Sequence, residues 1–324
     1  MKNIRAVFIG GYSRSGTTLL GSMIGTHTEC ICTPESQFKI DVLRHFREKK
    51  RENINIETAR RMIREHSRYR VLWGNIANAD PQTKINSYPE LILWFVNMYA
   101  KKEGKSHPSV WVDHSPTNIK NAKTLLELFP DSKFIHIIRD GRGVAASIMP
   151  LDWGPNTVYK TACSWKSRVS LYLALEASLK NNQILRVRYE DLLQGTDSTL
   201  RDLCSFLDLK YQPQMIRGKG FKVPIYQDKQ HALIGKEPDK SRSNAWEKTL
   251  TPRQIEIFES VAGELLAFLG YPLTFGNNAR KINLMDKIVS GIQEMYKGKI
   301  VNKFRFRKRQ KKALNLPEDN NRKG

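Results

Sequence analysis

The chain has 324 residues, a formal net charge of +22 and 40% hydrophobic residues, which is enough for a sizeable core. It has no run near the roughly 18–20 apolar residues that a membrane span needs. Four cysteines, Cys30, Cys32, Cys163 and Cys204, show no paired framework, which speaks against a disulfide scaffold and for a reducing, cytoplasmic setting.

The amino terminus, Met1-Lys2-Asn3-Ile4-Arg5, leads straight into the first strand, so no signal peptide is expected. The excess positive charge suits an acidic substrate or cofactor, an anionic membrane surface or nucleic acid. Part of that excess belongs to the tail, since Lys297–Gly324 holds eleven Lys/Arg against two acids.

Residues 6–10 read as a buried strand and Leu19–Ile24 as a helix, with a Gly/Ser turn between them. That layout is a phosphate cradle, in which backbone N–H groups and a helix N-terminus face one anion. Gly11 and Gly16 have the spacing of the nucleotide-triphosphatase loop, but Thr17 stands where that loop carries its lysine. Arg14 offers a planar fork of donors instead, and Thr17 and Thr18 offer hydroxyls. The loop is built for an oxyanion, and triphosphate hydrolysis with magnesium is not expected.

Ser13-Arg14-Ser15-Gly16-Thr17-Thr18-Leu19 resembles the 5′-phosphosulfate loop of sulfotransferases that use 3′-phosphoadenosine 5′-phosphosulfate (PAPS). From Val7 to Glu35 the chain is most similar to tyrosylprotein sulfotransferases and the bacterial enzymes like them. The resemblance implies PAPS as cofactor, adenosine 3′,5′-bisphosphate as product, and binding by Ser13, Arg14, Ser15, Gly16, Thr17 and Thr18. It also implies that Glu35, twenty-one positions beyond Arg14, is the general base. An acceptor hydroxyl needs such a carboxylate to take its proton, although an acid at a helix start is also favoured by the macrodipole. His27 matches the family too and reads as a packing or capping residue.

Residues 36–107 read as a helical insertion between the first and second strands of the sheet, rich in Lys and Arg, with a helix over Pro89–Lys101. The resemblance makes this the acceptor region. Its basic face fits either an anionic acceptor or plain solvation. Val110–Asp113 reads as the second strand, followed by a helix that starts at Ser115-Pro116 and runs to Phe129. At that strand's end His114 occupies a position where relatives carry a lysine supporting the leaving phosphate. The resemblance therefore gives His114 a catalytic role, alongside the reading of a packed turn residue.

Phe134–Ile138 reads as the third strand, nearly all apolar as in a sheet covered on both faces. It delivers Arg139, with Ser147 eight residues on. The resemblance makes this pair the holder of the 3′-phosphate. Gly141-x-Gly143-x-x-Ala146 also fits a dinucleotide fingerprint, but no acidic residue follows at the next strand end. Thr157–Lys180 reads as a helix whose stripe Val158, Ala162, Trp165, Val169 and Leu173 belongs to the core. Ile184–Val187 is the fourth strand and ends near Tyr189, which in the family lies by the nucleotide and elsewhere is a simple strand-end aromatic.

Thr196–Leu207 reads as a helix, and residues 210–245 as a loop that could order over nucleotide. Within it, Lys240–Trp246 resembles the family's late segment, with Asn244 in place of the usual serine. Thr251-Pro252-Arg253-Gln254 is a capping box opening a helix to Leu269. Beyond Asn278 an amphipathic stripe precedes Phe304 and Phe306 set among basic residues. This suits an anionic membrane surface or nucleic acid, or a helix docked on the body and followed by a frayed tail.

The expected fold is α/β, a P-loop-like parallel sheet flanked by helices, with a helical insertion and a basic helical extension. Residues 1–277 form the sulfotransferase domain and 278–324 the extension. The expected function is sulfuryl transfer from PAPS to a hydroxyl of a glycan or glycolipid. The alternatives are sulfation of protein tyrosine and, in another class, non-catalytic binding of nucleotide or nucleic acid. No metal and no nucleic-acid partner are expected. The expected location is cytoplasmic, with peripheral membrane contact through the tail.

Overall fold

The computed structural model describes residues 4–48, 54–74, 76, 84–105, 107–222 and 234–314. The middle of the 210–245 loop and the end of the basic tail lie outside these residues. Contacts divide the chain into two compact units. The first covers Met1–Asp140, Arg168–Val223 and His231–Ser243; the second covers Gly141–Ser167, Pro224–Gln230 and Asn244–Gly324.

The first unit is built on five strands: β1 (Arg5–Gly10), β2 (Cys30–Thr33), β3 (Val110–Asp113), β4 (Lys133–Ile138) and β5 (Ile184–Arg188). All pairings are parallel and the strand order is β2-β3-β1-β4-β5. Strand β2 corrects the sequence reading, which ran from the first helix directly to Glu35. Its four residues are all buried and pair in register with β3, from Cys30 opposite Val110 to Thr33 opposite Asp113. So short a segment, half cysteine, carries no periodic signal of its own. The helical insertion consequently follows the second strand of the chain and not the first.

The pleat sends alternate residues to opposite faces. Phe8, Ile31, Trp111 and Phe134 enter one core, while Val7, Ile9, Val112 and Ile135 enter the other. The ring of Phe8 lies 5.5 Å from both Trp111 and Phe134, so aromatics from three strands meet in the first core. Helix α1 (Thr17–Gly25) buries Leu19, Leu20, Met23 and Ile24 in the second core. The insertion comprises α2 (Phe38–Glu48), α3 (Ile56–Glu65), a π-turn over Tyr69–Trp73 and α4 (Tyr88–Lys102). Asn55 caps α3 by accepting from the amide of Thr58 at 2.8 Å. Phe38, Tyr69, Trp73 and Phe95 pack edge to face in the first core. Arg60 turns inward over the ring of Trp94 at 5.3 Å, so the basic character of this region is only partly a solvated face.

After β3 the chain forms a 3₁₀ helix over Pro116–Asn121 and then α5 (Ala122–Leu128), instead of one helix from Ser115. The Ser115 hydroxyl is not a cap: it accepts from the amide of Ser36 at 3.0 Å, which ties the end of β3 to the residue after Glu35. Helices α6 (Gly141–Ile148), α7 (Val158–Ala177), α8 (Tyr189–Gln194) and α9 (Thr196–Phe206) follow.

The second unit holds α6, the start of α7, and α10 (Trp246–Thr249), α11 (Pro252–Phe268), α12 (Leu284–Tyr296) and α13 (Asn302–Leu314). The Thr251–Gln254 capping box forms as the sequence indicates. The guanidinium of Arg142 is buried, donates to Glu259 at 2.7 Å and stacks on Trp246 at 4.0 Å. A Cβ on Gly141 would stand 2.3 Å from Phe258, so this glycine of the fingerprint-like run is required for packing. The C-terminal helix is docked, but by its polar side, with Ser290 and Glu294 on Thr157, so its apolar stripe faces outward. Met285, Ile288, Val289, Ile292 and Met295 are exposed, and the chain stays helical to Leu314 instead of fraying after α12.

Candidate active site

All five strands end along one edge of the sheet, where ligands bind in open parallel folds. The loop after β1 runs from Gly11 to Gly16 and is pinned by the amide of Gly11 donating to Pro116 at 3.0 Å. Arg14 (φ 70°) and Gly16 (φ 101°) both adopt left-handed backbone, which turns the chain sharply enough for α1 to start at Thr17. Neither loop glycine tolerates a side chain. A Cβ on Gly11 would lie 2.2 Å from the carbonyl of Ile137, and one on Gly16 2.6 Å from the ring of Tyr189.

Two cations meet over this loop. Arg139, at the end of β4, donates from its guanidinium to the carbonyl of Arg14 at 3.0 Å and stacks on Tyr189 at 4.3 Å. Burial, and after it the like charge of Arg139, pull the Arg14 pKa below the ordinary arginine range, with Tyr189 acting in the opposite sense. The buried Ser15 hydroxyl and the Nε of Arg139 have no hydrogen-bond partner among the described residues. Orphaned buried donors beside two converging guanidiniums are the complement of a bound oxyanion. Thr17 and Thr18 are buried at the start of α1, and Ser13 is half-buried in the turn.

Glu35 stands two residues past β2, half-buried. It accepts from Arg68 at 3.0 Å and from the side chain of Gln37 at 2.9 Å, and its carbonyl accepts from the indole of Trp73 at 3.3 Å. The helical insertion therefore supplies the residues that fix this carboxylate. His114 follows β3 and is buried, packed edge-on against Phe221 at 4.9 Å. Neither of its ring nitrogens has a hydrogen-bond partner among the described residues. Burial lowers its pKa, although the charges of Glu35 and Asp113 act the other way. It is therefore a neutral imidazole near pH 7 within reach of the field of Glu35.

Behind this edge lies a network that the sequence reading missed. Asp113, fully buried, pairs with buried Lys39 at 3.0 Å and accepts from the amide of Ser115 at 2.7 Å, from Asn118 at 3.0 Å and from the Ser36 hydroxyl. Burial disfavours the charged carboxylate, but Lys39 and these donors outweigh it and hold the Asp113 pKa well below the usual range. Asn118 also donates to the carbonyl of Ile9 at 3.0 Å, joining the ends of β1, β2 and β3. No periodicity or motif marks Lys39, since a lysine in a basic helix reads as surface. His27 packs structurally, with its ring Nε2 2.9 Å from the carbonyl of Lys210.

The first unit thus gathers the loop, Arg14, Arg139 and Tyr189, and carries Glu35 and His114 at neighbouring strand ends. Ser147 belongs to the second unit, half-buried on the last turn of α6.

A sulfotransferase family model matches residues 6–213. Among curated proteins, protein-tyrosine sulfotransferase A of Caenorhabditis elegans is 24% identical over 65% of this chain and 51% of its own length. The protein-tyrosine sulfotransferase of Drosophila melanogaster is 22% identical over 66% of this chain and 40% of its own length. The chain thus spans about half the length of these relatives, or less. Among solved structures, the sulfotransferase domain of the Synechococcus PCC 7002 olefin synthase superposes with a TM-score of 0.54. It shares 20% identity, over 84% of this chain and 97% of that domain, a likeness of fold.

Proposed function

The chain belongs to the sulfotransferase family, and on that premise we propose that it transfers a sulfuryl group from PAPS to the phenolic hydroxyl of a tyrosine in a peptide or protein. The observation that carries this reading is the convergence of Arg14 and Arg139 on a lysine-free loop with orphaned buried donors, two strands along the same sheet edge from a carboxylate held by Arg68. The tyrosine acceptor, first weighed as an alternative, is supported by the names of the relatives. The glycan or glycolipid acceptor has the basic body and the basic, apolar tail in its favour, and no relative named here supports it.

PAPS, when bound, supplies an activated sulfuryl group whose transfer breaks the bond from sulfur to the bridging phosphate oxygen. The fit rests on the loop amides, the Ser15 hydroxyl, Thr17, Thr18 and Arg14 as donors to the 5′ end, with Ser13 in the same turn. Arg139 is the cation for the 3′-phosphate, and Tyr189 lines the nucleotide side. Glu35 takes the phenolic proton as the acceptor oxygen bonds to sulfur. Arg14 and the amides hold the charge that develops on the departing phosphate, each such donor lowering the barrier by about 2.7–4 kcal/mol. His114, neutral and short of partners, serves as a hydrogen-bond donor toward the leaving oxygen, where a lysine would place a full charge.

Incubation with PAPS labelled in its sulfate, a tyrosine peptide and a neutral oligosaccharide tests the reading. Label in the peptide tyrosine alone is expected. Label in the sugar alone overturns the acceptor, and label in neither, with no bisphosphate binding by calorimetry, overturns the enzyme.

A further inference from the structure

The C-terminal helices are mounted with their polar side inward. Glu294 accepts from the amides of Asn156 and Thr157 at 2.7 and 2.8 Å, and the Ser290 hydroxyl meets that of Thr157 at 2.7 Å. Asn302, buried at the start of α13, donates to Asn156 at 2.8 Å, and Asp286 pairs with Arg253. These polar anchors leave the apolar residues outside. Leu284, Met285, Ile288, Val289, Ile292 and Met295 recur at helical spacing and are all exposed, Leu284 by 73%. Ile300 and Phe304 extend the exposed apolar surface along the chain, Phe304 by 72%.

Charge is sorted in the same way. Both acids of residues 284–308, Asp286 and Glu294, are engaged inward. The exposed charged side chains described in that segment are Lys287, Lys297, Lys303, Arg305, Arg307 and Lys308, all basic. Among the described residues no helix is long and apolar enough to cross a membrane. An outward apolar stripe flanked only by cations is the make-up of a helix that lies in the interface of an anionic bilayer.

We propose that α12 and α13 form a docking surface for an anionic phospholipid membrane, the apolar stripe entering the acyl boundary and the basic residues meeting the headgroups. A second copy of this chain is a poorer occupant, because two-fold pairing of the face would set cations against cations. Nucleic acid would satisfy the cations and leave the stripe in water.

The test uses the full chain in sedimentation with vesicles of phosphatidylcholine alone and with phosphatidylserine added. Binding to the phosphatidylserine vesicles only, weakening with salt, is the expected result. Replacing Arg305, Arg307 and Lys308 together by glutamine should lower partitioning about a hundredfold, as each basic residue near such a surface counts about fivefold. Val289→Glu with Ile292→Glu should abolish binding while leaving the melting temperature unchanged, since both side chains are already exposed. Absence of binding, equal binding to neutral vesicles, or a dimer in ultracentrifugation that Ile292→Glu dissociates without any vesicle binding would overturn the proposal.

Discussion

The guanidinium of Arg139 reaches back across the strand ends to the main-chain carbonyl of Arg14, 3.0 Å away. One arginine thereby holds the loop residue that carries the other. Burial and the like charge of Arg139 both lower the Arg14 pKa, a cost that a bound dianion would offset. Arg139→Ala should therefore weaken adenosine 3′,5′-bisphosphate about 10- to 100-fold, the loss of one or two charge-assisted hydrogen bonds. Discrimination against AMP should fall with it, because AMP lacks the 3′-phosphate. Calorimetry with both nucleotides checks this, and equal weakening of the two would detach Arg139 from the 3′ end.

Glu35 is separable from nucleotide binding, as it sits past a different strand and is fixed from the insertion by Arg68 at 3.0 Å and Gln37 at 2.9 Å. Glu35→Gln should keep bisphosphate affinity within twofold while turnover drops by about 10²–10⁴, the usual contribution of a general base. Arg68→Ala should lower turnover less, also without changing nucleotide affinity, because it frees the carboxylate to reorient. Steady-state rates with saturating PAPS decide it, and unchanged turnover in the glutamine variant removes the base assignment.

The strands after which Arg14, His114, Arg139 and Tyr189 follow were legible in the sequence because each is a short apolar run ended by a polar residue. A parallel sheet brings such ends together by topology alone. Strand β2 was not legible, since four residues are too few to show a period and burial of Cys30 and Cys32 leaves no pattern. The Lys39–Asp113 pair was hidden for another reason. A buried ion pair joins residues 74 apart, and in sequence each partner looks like ordinary surface charge. The outward stripe of α12 was visible as a stripe, but its direction depends on Asn156 and Thr157, which hold the opposite face.

The Lys39–Asp113 pair gives a stability prediction with a definite sign. Its carboxylate is held well below the ordinary range, so it contributes stability above the unfolded-state pKa of about 3.9, and that contribution is lost as pH falls further. Lys39→Met leaves a buried charge without its partner and should cost about 3–5 kcal/mol. The double variant Lys39→Met with Asp113→Asn should recover part of that loss. Denaturant melts at neutral pH read both, and a double variant no more stable than the single one would show that the pair itself is not the cause.

Gly16 tests the cradle by backbone alone. At φ 101°, with the Tyr189 ring 2.6 Å from any added Cβ, Gly16→Ala pays about 1–2 kcal/mol for a left-handed residue and more for the clash. The melting temperature should fall, and bisphosphate affinity should fall further than stability alone explains, since the loop amides lose their alignment. Binding measured well below the variant's melting point separates the two effects, and wild-type affinity there would mean that the loop does not contact the nucleotide.

His114 ties pH to both stability and rate. Its pKa is lowered, mainly by burial, so below the unfolded-state value of about 6.5 the unfolded chain binds more protons than the folded one. Stability should accordingly decline as pH drops below about 6.5 and stay flat above it. His136, buried with its pKa also lowered first by burial, acts in the same sense. His114→Leu should therefore reduce the slope without abolishing it. If the neutral imidazole also donates to the leaving oxygen, the same variant loses turnover at pH 8, where histidine protonation plays no part in stability. A variant with a reduced slope and full turnover would leave His114 a packing residue, whereas loss of both assigns it the two roles together.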